Sequence, residues 1–173
     1  MFLRVLLVGL MLFQGVAAFA AGVDVRTFPL ERNGVKLHLQ CMQAEGAKGD
    51  KPLLLVHGLT YSSHEFDVDT GDYSLARFFA SKGYSVWMLD IAGYGLSQEV
   101  KDGFMPNSDY AAEDIAAAAK LILEKSGVKQ LDVLGWSWGT VTGGRFAAKY
   151  PDMVRKLVLY APIVAGLAAI EVK

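Results

Sequence analysis

Residues Leu53–Val56 are four apolar residues in a row, inside "KPLLLVHG", with no polar residue between them. A strand with one wet face alternates apolar and polar residues, so an unbroken run marks a strand buried on both faces. The same lack of alternation returns in "YSVWMLDI" and, more briefly, in "LDVLGW". Strands of that kind belong to parallel sheets, whose crossover helices cover both sides. Helical patterns occupy the intervals as this requires. In "DYSLARFFASKG", Leu75, Phe78 and Phe79 share a helical face and Gly83 is a stop. In "NSDYAAEDIAAAAKLILEKSG", Ala111, Ile115, Ala118 and Ile122 form one stripe, with a Ser or Asn cap before it and Gly127 after it. The segment after Ser137 reads as a third helix up to Pro151, and "VRKLVLYAPIV" as a fourth parallel strand. Ahead of these, "VRTFPLER" and "VKLHLQCMQA" flank Asn33-Gly34, a strong hairpin-turn dipeptide. The expected fold class is α/β: a mostly parallel sheet with helices on both faces and an N-terminal antiparallel hairpin.

Composition sets the outer bounds. The 173 residues suffice for one domain with its own core, and 53% hydrophobic against 20% charged residues argues against disorder. A formal net charge of −1 and the lack of a basic run leave no electrostatic footprint for nucleic acid. Cys41 is the single cysteine, which excludes an intrachain disulfide, and no Cys/His cluster has metal-ligand spacing. No cofactor or metal is implied.

The first twenty residues read separately. Arg4 precedes the apolar run Val5–Phe13, and Ala18-Phe19-Ala20 places small residues where a signal peptidase cuts. Residues 1–20 are therefore expected to be a signal peptide and residues 21–173 the domain, exported to a periplasm or secreted. After cleavage no stable membrane span is expected. An uncleaved anchor is the alternative, because Phe2–Val23 is apolar apart from Arg4 and Gln14.

Ligands of open α/β sheets bind outside the carboxyl ends of the parallel strands. The residues with chemical interest follow three such ends: His57-Gly58-Leu59-Thr60, the loop Asp90 to Ser97, and Ser137. Gly135-Trp136-Ser137-Trp138-Gly139 matches G-x-S-x-G in the order strand, tight turn, helix. Its glycines fit a turn that packs backbone on backbone, and its serine is expected in a strained conformation above the sheet. A serine that merely caps the following helix is the competing reading. Trp136 and Trp138 form either an aromatic wall for substrate or core, with Trp136 the one expected beneath the turn.

Taken together, "LLLVHGLT", "LDIAGYGLS" and "LGWSWGT" resemble the α/β-hydrolase superfamily, in order and spacing, over nearly everything from about residue 24 to 165. The nearest-looking subgroups are lysophospholipase-like and serine-aminopeptidase-like hydrolases. The resemblance implies Ser137 as nucleophile on an elbow framed by Gly135 and Gly139. It implies the backbone N–H groups of Leu59 and Trp138 as the oxyanion hole, and His57, Gly58 and Asp90 as loop-organising residues. Superfamily members similar to epoxide hydrolases carry aspartate at the elbow; a serine implies acyl transfer to water from a small-molecule ester, thioester or activated amide.

Such chemistry needs a base, and the histidines are His38, His57 and His64. His38 is expected in the hairpin, far from the strand ends, and His64 on a solvated loop. The superfamily order is serine, acid, histidine, but Asp152 and Glu171 do not sit at convincing strand ends, and Asp90 and Asp114 precede the serine. The fold is therefore expected to be C-terminally incomplete, a fragment with the nucleophile and without the acid and histidine. Two function classes stay open: an exported serine hydrolase, of which this is the N-terminal portion, or a non-catalytic remnant or small binding module that keeps the half-fold.

Overall fold

The computed structural model describes residues 22–70, 73–102, 104 and 106–163. The expected leader at 1–20 and Glu171 in the apolar end of the chain lie outside these residues. Two long strands open the fold, β1 (Val23–Arg32) and β2 (Val35–Ala44), paired antiparallel. Asn33 and Gly34 turn between them with φ of 52° and 77°, as the primed hairpin turn demands. Four shorter strands follow: β3 (Pro52–Val56), β4 (Ser85–Leu89), β5 (Leu131–Trp136) and β6 (Val154–Tyr160). They make one six-stranded sheet in the order β1-β2-β4-β3-β5-β6. β4, β3, β5 and β6 are mutually parallel, and β2 joins β4 antiparallel.

Helices α1 (Leu75–Ser81), α2 (Ser108–Ser126) and α3 (Trp138–Lys149) supply the crossovers. Local signals bound the first two. Ser74 Oγ accepts from Arg77 N–H to open α1, and Asn107 accepts from the N–H groups of Asp109 and Tyr110 to open α2. Gly127, at φ 67°, closes α2 by donating to Leu123 O. The apolar strand runs split by the two-residue period. Leu54, Val56, Trp87, Leu89, Leu131 and Val133 pack toward α2 and α3. Leu53, Leu55, Val86, Met88 and Leu134 pack toward α1 on the other face. The α/β class, helices on both faces and the N-terminal hairpin are all as the sequence implies.

The sheet is unequal from middle to edge. All five residues of β3 are buried, whereas most of β6 is exposed, with Val158 50% and Tyr160 64% accessible. His38 departs from expectation. Because β2 runs beside β4 with Leu39 opposite Leu89, His38 lies next to the carboxyl end of β4. Its N–H donates to Ser97 Oγ (2.8 Å) and its carbonyl accepts from Asp90 N–H (2.9 Å). That proximity depends on strand pairing, which local sequence does not display.

Candidate active site

β5 ends and α3 begins within two residues, and Ser137 makes the turn. Its φ of 53° and ψ of −118° lie outside the regions an L-residue ordinarily occupies, a strain of about 1–3 kcal/mol that the surroundings must impose. Those surroundings are backbone. A Cβ added at Gly135 would stand 2.2 Å from Gly139 O, and one at Gly139 would stand 2.2 Å from Val56 O. No side chain fits at either position. Ser137 is half-buried, and its side chain makes no capping hydrogen bond to α3. The capping role that a serine before a helix usually plays is therefore absent.

The loop after β3 crosses in front of this turn. Gly58 is so close that a Cβ there would lie 3.0 Å from the Trp136 ring and 3.3 Å from Ser137 Cβ. Leu59 follows at the surface, 46% exposed. The Leu59 N–H and the Trp138 N–H, the latter at the first turn of α3, have no acceptor among the described residues. Both belong to the two segments that meet at Ser137.

His57 is fully buried behind this loop, and both ring nitrogens are occupied. Ile91 N–H donates to Nε2 (3.1 Å), so Nε2 carries a lone pair and the ring proton is on Nδ1, which donates to Gly58 O (2.8 Å). Burial holds this imidazole below its ordinary pKa, which keeps it neutral. Asp90 is buried as well. Its carboxylate accepts from Ser63 N–H (2.6 Å) and Leu96 N–H (2.8 Å), tying the loop after β4 to a 3-10 turn at Ser63–Phe66. Gly95 is at φ 52° with Asp90 Oδ2 2.2 Å from any added Cβ, so this knot also requires glycine.

The tryptophans exchange their expected places. Trp138 is the core residue: 5% exposed, its Nε1–H donating to Ser108 Oγ (2.9 Å) and its ring beside Tyr94. Trp136 is half-buried, edge-on to Tyr61 at 5.1 Å, and borders an apolar cavity of about 430 Å³ with Phe66, Leu75, Leu134, Val158 and Tyr160. The reason is register. Leu134 and Trp136 point to the α1 face, and the turn at Ser137 then sends Trp138 to the opposite one.

One residue of the site is missed by sequence reasoning. Glu65 Oε1 accepts from Gly58 N–H (3.0 Å), and its Oε2 is buried with no partner among the described residues. Burial pushes this carboxyl up to about 7, opposed only by the Gly58 hydrogen bond. "SSHEFD" offers no local signal for it, since the bond spans seven residues. His38 and His64 line a different cavity, of about 690 Å³, together with Asp67 and Asp90. Among the described residues no group of His, Cys, Asp or Glu is arranged to hold a metal ion, and no helix is long and apolar enough to cross a membrane.

The family model for the alpha/beta hydrolase fold matches residues 51–170. The chain belongs to the α/β-hydrolase fold family. Among curated relatives it is 30% identical over 146 residues to human serine hydrolase BPHL, which covers 83% of this chain and 45% of that protein. It is 30% identical over 130 residues to the lysosomal acid lipase/cholesteryl ester hydrolase of Macaca fascicularis, covering 68% and 33%. The chain thus spans less than half the length of these two relatives. Among solved structures, a predicted CIB-like hydrolase from Thermoplasma acidophilum superposes with a TM-score of 0.64 at 24% identity, over 86% of this chain and 67% of that one. An epoxide hydrolase of Vigna radiata superposes with 0.62 at 23% identity, over 79% and 38%. These two are likenesses of fold.

Proposed function

We propose that this α/β-hydrolase chain carries the nucleophile half of an exported serine hydrolase. Ser137 attacks the carbonyl of a small-molecule ester, thioester or activated amide. The tetrahedral oxyanion is received by the N–H groups of Leu59 and Trp138, and an acyl-enzyme forms before water releases the acid. The observation that carries this reading is Ser137 itself: a non-glycine residue at φ 53°, held there by backbone contacts, whose hydroxyl does not cap its helix. Strain of this kind persists only where the fold imposes it, and it clusters at reactive sites. The positive end of α3 starts directly behind the serine, where developing negative charge would be stabilised.

His57 organises the loop and does not serve as base, because a base needs a free nitrogen and His57 has none. Its bond to the Gly58 carbonyl has a further effect. In a trans peptide the carbonyl and the following N–H point in opposite directions, so anchoring Gly58 O aims Leu59 N–H. Asp90 organises the neighbouring loop in the same sense, through Ser63 and Leu96. The second reading, a non-catalytic domain that retains the elbow, is favoured by one observation: none of the three histidines hydrogen-bonds to Ser137.

A fluorophosphonate probe separates the two. Labelling of the native chain that is lost in Ser137→Ala supports the nucleophile; equal labelling of both removes it. Turnover of p-nitrophenyl acetate is expected barely above background for these 173 residues, since an oxyanion hole without a base gives a residual effect only. Export is tested by the amino-terminal sequence of the mature protein, expected to begin at Ala21.

A further inference from the structure

The two peptide units that flank Gly58 are both held from outside. His57 Nδ1–H grips the carbonyl of the outgoing unit at 2.8 Å, and Glu65 Oε1 receives the N–H of the incoming one at 3.0 Å. Gly58 needs this. The approach of Trp136 and Ser137 leaves little room for a side chain, and a residue without Cβ does little to restrict its own φ and ψ. Its two dihedrals must therefore be set by its neighbours, and one of them cannot do it alone. His57 fixes the Gly58–Leu59 plane; the plane before it packs its carbonyl against Gly139 and is fastened at its N–H end by Glu65.

From this geometry we infer that Glu65 is a positioning residue, a clamp on the incoming peptide of Gly58 that completes the aim of the Leu59 N–H. The functional part of the inference rests on Ser137 being the nucleophile proposed above.

The clamp is itself anchored. Glu65 lies within the 3-10 turn Ser63–Phe66, opened by Ser62, and that turn is fastened to the buried Asp90 through Ser63 N–H at 2.6 Å. Glu65 also buries an unpartnered oxygen, which is costly. It borders the cavity formed with Phe66, Leu75, Leu134, Trp136, Val158 and Tyr160. None of these six can neutralise it, and the Tyr160 phenol is the one other titratable group there. The Gly58 N–H is the one donor the carboxylate has among the described residues.

The test uses the full chain and two readouts. In the native protein the Gly58 amide resonance should titrate with a midpoint near 7, following its acceptor. In Glu65→Gln, which keeps an acceptor oxygen and cannot ionise, the same resonance should be flat. In parallel, the rate of fluorophosphonate labelling at Ser137 should fall about tenfold in Glu65→Ala and return to within about threefold of native in Glu65→Gln. Native-like circular dichroism spectra and cooperative melts show that both variants are folded. A Gly58 resonance that is flat in the native chain, or titrates alike in Glu65→Gln, overturns the clamp. So does a Glu65→Ala variant labelled as fast as the native chain. A native chain that takes no label while Gly58 still titrates keeps the clamp and places the failure in the nucleophile reading.

Discussion

The elbow and the loop that crosses it stand in van der Waals contact, yet they are held in different ways. At the elbow the constraint is steric: backbone atoms of Gly135, Gly139 and Val56 close in until no Cβ fits, and Ser137 takes the conformation that remains. At the loop the constraint is polar, with two ionisable side chains gripping one glycine. A steric cage ignores pH. A polar clamp follows the charge of its members, and His57 and Glu65 follow it in opposite directions. The His57 pKa is depressed, so the stability it contributes is present above the ordinary histidine value and is lost as pH falls through the lower, folded one. The Glu65 pKa is raised, so its contribution is present below about 4.5 and is lost as pH rises through about 7.

Substitutions can break each half of this contrast. The largest effect is expected from Gly139→Ala, whose methyl would have to displace Val56 O. A loss of about 4 kcal/mol, most of what a domain of this size possesses, should show as failure to unfold cooperatively in urea. A native-like midpoint would mean that the elbow is not close-packed. His57→Ala comes next. It leaves the Ile91 N–H buried without an acceptor, and a loss of about 2–3 kcal/mol is expected in the same measurement. Glu65→Gln should act with the opposite sign. At pH 8 it should be more stable than the native chain by about 1–2 kcal/mol, allowing for the part of the side chain that faces solvent, and at pH 4 the two should melt together. An equal difference at both pH values would show that the carboxyl is not held above its usual range. Ser137→Gly has the smallest expected effect, a gain of about 1 kcal/mol as glycine relieves the positive φ, accompanied by complete loss of labelling.

Much of the steric half was legible in the sequence, and little of the polar half was. Unbroken apolar runs, caps and glycine stops are local signals, and they mark the strands, the three helices and the turn at Ser137. The elbow glycines belong to a five-residue pattern whose physical reason is itself local. Glu65 carries no such signal, because its partner is seven residues away and the cavity it borders is walled by residues of β5 and β6. His38 is brought beside Asp90 by the pairing of β2 with β4, separated by some fifty residues of chain, and its isolated sequence position says nothing of this. The exchange of the two tryptophans turns on which face of the sheet Leu134 and Trp136 share. Alternation shows that neighbours face opposite ways; it does not say which way is which.

The hairpin has a consequence for orientation. β1 runs antiparallel to β2, and β2 antiparallel to β4, so β1 points along the parallel strands. Val23 pairs with Ala44, beyond the point where Met42 meets Val86, and so lies level with the amino end of β4. The chain therefore enters the described domain at the outer edge of the sheet and at the end away from Ser137.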